Sequence, residues 1–230
     1  MSPLRLRYQT VEFGEMDVHI RTLRDTREFQ DDDGRAAALG ISSASWSLFG
    51  VIWASGQALA RHMVDYEVSE RRILELGCGH GRDAAWFEAH GLEVVAADLS
   101  AGMLAETRRR VAGPIVQLDM CALALRDGIF DGVWCDAAML HLPKAFAPVA
   151  LCEVRRVLKP RGIVFVSIQV GDAEVWETGA YDGPGARFFA RYAPAEVGAL
   201  IENAGFQLIE DHESYGGPRR KWAHYFASRE

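Results

Sequence analysis

From Ile73 onward the chain alternates short apolar runs with helical stretches of about ten residues, and few folds accept that order. Ile73-Leu74-Glu75-Leu76 reads as a buried strand, and Arg82 to His90 as a helix stopped by Gly91. Glu93 to Ala97 is the next strand, followed by a helix from Ala101 to Val111 entered through Ser100. Strands at Ile115–Leu118 and Phe130–Cys135 follow, then a helix at Ala145–Leu158 that ends at Lys159-Pro160-Arg161-Gly162. Ile163–Val170 is continuously apolar, and Pro194–Ala204 is a helix closed by Gly205. Strands buried on both faces lose the polar alternation of a half-exposed sheet, so this pattern predicts an α/β, mostly parallel, doubly wound sheet. The last two strands, Phe206–Glu210 and Trp222–Ser228, have no helix between them and predict an antiparallel hairpin. The sheet domain is read as 70–230. Residues 1–69 form an N-terminal extension of short strands, a polar loop around Asp31-Asp32-Asp33-Gly34 and a helix from Trp46 to Val64.

The first strand runs into Gly77-Cys78-Gly79-His80-Gly81, which opens a helix. Glycines at such a bend let the backbone turn tightly and approach a ligand closely, and in open α/β sheets ligands sit beyond the carboxyl ends of the strands. Acids mark three successive strand ends: Glu75, then Asp98, then Asp119. A carboxylate at the second position can accept two hydrogen bonds from a ribose diol, and Asp119 lies where an adenine edge would be read. The spacing departs from the dinucleotide fingerprint, with Arg82 where its third glycine belongs, and no Gly-Lys-Ser/Thr of a Walker loop follows. Glu75, two residues before the first glycine, would repel a pyrophosphate but suits a ligand that carries an ammonium group.

These residues resemble the class I, seven-β-strand S-adenosylmethionine-dependent methyltransferases. The resemblance covers about 70–228 and is carried by Ile73 to Asp83, Val94 to Ser100, Phe130 to Asp136, Glu153 to Gly162 and Ala204-Gly205-Phe206. It implies a seven-stranded Rossmann-like sheet, S-adenosyl-L-methionine as cofactor and S-adenosyl-L-homocysteine as product. By position it implies that Glu75 and the backbone of Gly77, Cys78, Gly79 and Gly81 face the methionine end. Asp98 then holds the ribose, Leu99 and Met120 sandwich the adenine, and Asp119 accepts from its amino group. Cys135 and Asp136 border the transferring methyl. A second, weaker resemblance joins Val51 to Ala60 to the N-terminal helix of seven-strand protein-lysine methyltransferases, where a tryptophan, here Trp53, stacks near the cofactor. That group carries an acid-x-x-Tyr after the fourth strand; here the stretch is Asp136-Ala137-Ala138-Met139.

Methyl transfer needs a nucleophile held in line with the methyl carbon and water excluded, and positioning alone can supply ~7–11 kcal/mol. A base is needed only for an acceptor protonated at neutral pH. His141, just past the fourth strand, is the candidate base, and Asp136 the candidate partner of an acceptor hydroxyl or amine; packing over the cofactor is the plainer role for His141. The connection at 171–192 is long enough to read as a lid or acceptor loop. From it Trp176, Arg187 and Phe188 are the candidate acceptor contacts, with Tyr181, Phe189 and Tyr192 the other aromatics.

Charge narrows the partners. Lys and Arg number 25 and Asp and Glu 32, so 25 − 32 = −7, which disfavours phosphate backbones. The short basic clusters Arg108-Arg109-Arg110, Arg155-Arg156 and Arg219-Arg220-Lys221 read as solvated faces, although the order Arg187-Phe188-Phe189, Ala204-Gly205-Phe206 and a terminal strand with Trp222 is similar in outline to wobble-uridine tRNA methyltransferases. No run of about 18 apolar residues marks a membrane span. The four cysteines are widely spaced, which predicts free thiols, a cytoplasmic setting and no metal site. The expectation is methyl transfer to nitrogen or oxygen of a small-molecule acceptor. The alternatives are a protein-lysine or tRNA methyltransferase, and a cofactor-binding protein without turnover.

Overall fold

The computed structural model describes residues 6–13, 16–23, 71–178, 186–215 and 221–230. Trp46 and Trp53 with their expected helix, the polar loop around 31–34, Tyr181 and Arg219-Arg220 lie outside the described residues. The chain divides into two compact units, Met1–Glu67 with Trp176–Arg187, and Val68–Val175 with Phe188–Glu230. In the first, β1 (Leu6–Phe13) and β2 (Met16–Leu23) pair antiparallel, Leu6 opposite Leu23 and Phe13 opposite Met16.

The second unit is built on a seven-stranded sheet. Its strands are β3 (Arg72–Leu76), β4 (Glu93–Asp98), β5 (Ile115–Gln117), β6 (Phe130–Cys135), β7 (Leu158–Gln169), β10 (Phe206–Tyr215) and β11 (Lys221–Arg229). Their order is β10-β11-β7-β6-β3-β4-β5. β3 pairs parallel with β4 and β6, β4 with β5, and β6 with β7, whereas β11 runs antiparallel to both β7 and β10. The expected seven-stranded doubly wound fold with its antiparallel hairpin is what forms. The chain steps outward from β3 to β5 and returns to β6 on the other side of β3. Strand order therefore reverses at β3, and the glycine loop leaves the sheet at that switch point.

Four helices accompany the sheet: α1 (Arg82–Ala89), α2 (Ala101–Thr107), α3 (Ala147–Val157) and α4 (Pro194–Asn203). Successive residues of a strand face opposite sides. Leu74, Val133, Cys135, Val164, Val166, Ile168 and Tyr225 therefore join Leu151, Val154, Val197 and Ile201 of α3 and α4 in one core. Their neighbours in sequence carry the other face. There Trp134 stacks on Phe165 at 3.8 Å between centroids, and Phe87 of α1 meets Trp134 edge-on at 5.4 Å. Ser100 caps α2, its Oγ accepting from Met103 N at 3.3 Å.

Several expectations need correction. The Lys159–Gly162 segment is part of β7, not a turn before it, because the ladder to β6 starts at Leu158 opposite Phe130 and shifts register at Gly132. Arg161 takes φ 66° there. Gly162 is required because a Cβ would lie 2.9 Å from Lys159 O and 3.1 Å from Asp131 O. The helix α2 ends four residues early, at Thr107. The terminal hairpin runs five residues further along β10, to Tyr215. The 171–192 connection holds a second ribbon, β8 (Glu174–Thr178) with β9 (Ala186–Ala190). The signal was present in Glu174-Val175-Trp176-Glu177-Thr178, where Val, Trp and Thr are strand formers. Tyr192 and Phe189, read as loop aromatics, are buried in the core.

Two arginines read as a solvated face are structural. The Arg156 guanidinium binds both carboxylate oxygens of Glu153 at 2.8 Å, Asp127 Oδ1 at 2.6 Å, and the carbonyls of Leu123 and Leu125 at 2.7 Å. Arg155 Nε donates to Gly205 O at 3.1 Å. A planar donor fork of fixed geometry is what such a multi-acceptor site requires.

Candidate active site

The glycine loop is held open by its own backbone. Gly77 and Gly79 take φ 70° and 54°, in the left-handed region that disfavours other residues. A Cβ at 77 would run into Ala138 Cβ, whereas one at 79 would meet nothing within 4 Å. Gly77 is thus fixed by its neighbour, and Gly79 by conformation beside open space. Gly77 N and Cys78 N donate to Ala97 O at 2.8 and 3.0 Å, which ties the loop to the end of β4. The Cys78 thiol turns away into the interior, 3.5 Å from Thr107 Oγ1, and burial pushes it up to about 11. What Cys78 offers a ligand is therefore backbone.

Asp98 ends β4 and reinforces that tie. Its Oδ2 accepts from Gly79 N at 2.9 Å and its Oδ1 from Ser100 N at 2.8 Å. Each carboxylate oxygen keeps acceptor capacity for a further donor. Leu99 beside it is 66% exposed, an apolar surface at the position where an adenine face is expected. Asp119 is exposed and accepts from Cys121 N at 2.8 Å. Met120 is half-buried against the core.

Glu75 is the least ordinary group. It is 4% exposed, and its Oε2 has no hydrogen-bond partner. Burial, with repulsion from Asp83, pushes its carboxyl up to about 9. Around it lie residues that the sequence did not mark for a role. Arg82 binds Asp83 through Nε at 2.6 Å and through Nη2 at 3.1 Å, and its Nη2 lies 3.6 Å from Asp136 Oδ2. Trp134 Nε1 donates to Asp83 Oδ2 at 3.2 Å. Glu75, Asp83 and Asp136 thus share one guanidinium. That cluster, deficient in cations, fits a ligand bringing an ammonium group, and the orphaned oxygen of Glu75 gives it a place to bind.

The strand-four residues divide. Cys135 is buried in the core and burial pushes its thiol up to about 12. Asp136, one residue on, is beyond the strand and partly exposed. Its Oδ1 accepts from Ser167 Oγ, and burial raises its carboxyl despite that bond and Arg82. Ser167 escaped the sequence reading, although one hydroxyl inside Val164-Phe165-Val166-Ser167-Ile168 was the available signal.

His141 lies in a short 3₁₀ turn, Met139–His141, with its ring 5.0 Å from Phe189. Nδ1 is 2.9 Å from Phe188 O. A carbonyl only accepts, so Nδ1 carries the proton and Nε2 is the basic nitrogen. Phe188 is half-buried against the core. Trp176, 71% exposed, and Arg187, also exposed, lie on β8 and β9.

Residues 74–166 match the family described as a methyltransferase domain. That match spans less than half of the chain, and the seven-stranded order around it is the Rossmann-like fold of the class I methyltransferases. Over 103 residues the chain is 37% identical to the malonyl-[acyl-carrier protein] O-methyltransferase of Enterobacter lignolyticus, covering 44% of this chain and 40% of that one. Over 160 residues it is 28% identical to the ubiquinone biosynthesis O-methyltransferase of Xanthomonas euvesicatoria, covering 62% and 65%. This chain therefore spans about two fifths to two thirds of the curated relatives it matches. Among solved structures, a methyltransferase from Methanosarcina mazei superposes with TM-score 0.64 at 14% identity, over 73% of this chain and 96% of that one. The methyltransferase sheet thus persists where sequence identity has nearly gone. Among the described residues, no helix is long and apolar enough to cross a membrane.

Proposed function

We propose that the chain transfers a methyl group from S-adenosyl-L-methionine to a nitrogen or oxygen of a small-molecule acceptor. The observation that carries this reading is the register of acids at the switch point: Glu75 buried with an orphaned oxygen, and Asp98 and Asp119 at the ends of the next two strands. When bound, the cofactor supplies an activated sulfonium methyl. The protein has to bind, orient and keep water out. Glu75 and the cluster around Arg82 take the ammonium end, Asp98 the ribose, and Leu99 and Met120 the adenine, with Asp119 at its edge. Asp136 meets the acceptor, and Nε2 of His141 takes a proton where the acceptor carries one. Both curated relatives bear O-methyltransferase names, which supports oxygen as the atom methylated. Phe188 remains a proposed acceptor contact.

The test incubates the protein with methyl-labelled S-adenosylmethionine and a cell extract split into small-molecule, protein and RNA fractions. Label in the small-molecule fraction is expected. Label in protein or RNA instead would overturn the acceptor class. Calorimetric binding of the cofactor with no label in any fraction would favour a binder without turnover.

A further inference from the structure

We infer that Ser167 is a positioning residue for the transfer, holding Asp136 and the backbone at Ala137 in one arrangement at the end of β6. The inference rests on the methyltransferase reading above and adds a residue that touches neither cofactor nor acceptor. Ser167 is fully buried near the end of β7. β6 and β7 are in parallel register through Cys135 and Val166, which brings position 167 beside 136. The hydroxyl has one proton, which it donates to Asp136 Oδ1, and its oxygen accepts from Ala137 N at 2.9 Å. Both partners flank the point where the chain leaves the sheet.

That point needs holding. Ala137 takes φ 52°, a left-handed conformation that is strained for a non-glycine residue, and such strain persists only where surroundings over-determine it. Without the hydroxyl, Ala137 N loses its acceptor and Asp136 Oδ1 its donor. The carboxylate would then be held from one side alone, by Arg82 at 3.6 Å. Among the described residues, the charged groups facing Asp136 are Arg82 and Asp83 of α1 and Glu75 of β3. A bond from Ser167 favours the ionised carboxylate against burial and Asp83. The serine therefore fixes the direction of the group that meets the acceptor and favours its charged form.

The experiment compares wild type, Ser167→Ala, Asp136→Asn and the double variant, using S-adenosylmethionine and the acceptor found by the labelling experiment. Expected for Ser167→Ala is a fall in kcat of about tenfold or more, as displaced catalytic groups give, with cofactor Kd within about twofold by calorimetry. Its acidic pH limb should move to higher pH, and a carbon-13 titration of the Asp136 carboxyl, assigned by its loss in Asp136→Asn, should move the same way without any turnover. In the Asp136→Asn background the serine change should lower kcat by a smaller factor than in wild type, since only the bond to Ala137 N is then left to lose. Unchanged kcat and an unchanged Asp136 titration in Ser167→Ala would overturn the inference. An equal loss with and without Asp136 would also overturn it, because the serine would then be only structural. Should the alanine variant not fold, Ser167→Cys, with its weak donor, carries the same measurements. A wild type that binds the cofactor but transfers no methyl group sinks the parent reading and this one together. Transfer at equal rates by wild type and Ser167→Ala sinks this one alone.

Discussion

Glu75 carries a carboxyl into the interior, and pH exposes the cost. Its carboxyl titrates near 4.5 ordinarily and at about 9 in the folded chain. Between those values the folded state holds a proton that the unfolded state has released. Stability from this group therefore falls as pH rises from about 4.5 to about 9. Glu75→Gln keeps the shape and removes the ionisation, so the cofactor-free variant should melt higher than wild type at pH 8 and lose most of that slope, by differential scanning fluorimetry. The same change should weaken S-adenosylmethionine binding by at least tenfold, the scale of a hydrogen bond between charged groups, ~1.5–3 kcal/mol. A variant that is neither more stable at pH 8 nor weaker in binding would remove Glu75 from the site. Gly77 gives a second residue-scale outcome. Gly77→Ala meets both a positive φ and the Ala138 side chain, and overpacking of this kind costs ~1–3 kcal/mol. Gly77→Ala with Ala138→Gly should recover only part of the loss, because the backbone strain stays; full recovery in urea melts would show the clash to be the whole cost.

At the scale of elements, the connection from β5 to β6 is stitched to α3 by polar bonds as well as packed through the buried Leu123. Arg156 closes the stitch with five hydrogen bonds, and Leu123 N returns one to Glu153 Oε2 at 2.7 Å. Arg156→Lys keeps the charge but loses the fork. It should cost ~1.5–3 kcal/mol, or roughly 3–10 °C in Tm for a chain of this size, with cofactor affinity unchanged. A shift under 1 °C would return Arg156 to the role of an ordinary surface charge. The same carbonyl-capping logic places Arg229 of β11, whose Nη1 donates to the carbonyls of Arg155, Arg156 and Leu158 where α3 passes into β7. Helix ends leave carbonyls without partners, and a cation there satisfies several at once.

For the molecule as a whole, the terminal hairpin closes the sheet. β11 pairs with β7 from Trp222 opposite Gln169 to Ser228 opposite Ile163, and Tyr225 and Ala227 enter the main core. Removing residues 206–230 would bare the edge of β7, a long apolar strand, and such edges pair with other chains. The truncated protein is expected to aggregate or bind a hydrophobic dye, whereas a monomeric, cofactor-binding product in size-exclusion chromatography would show that the hairpin is dispensable.

Much of this was legible in order and spacing. Parallel strands buried on both faces leave continuous apolar runs, and a glycine loop between a strand and a helix has few homes, so Ile73 to Gly81 alone indicated the switch point. The strand-end acids followed from the same register. The partners of those acids were not legible. Arg82 beside Asp136, Trp134 on Asp83 and Ser167 under Asp136 are 54, 51 and 31 positions apart in sequence. Local sequence fixes which residues stand at a strand end through period and turn chemistry. Only the sheet order, with β6 laid between β3 and β7, decides which polar groups meet there, and with them which carboxyl is left without a partner and which is held by a hydroxyl.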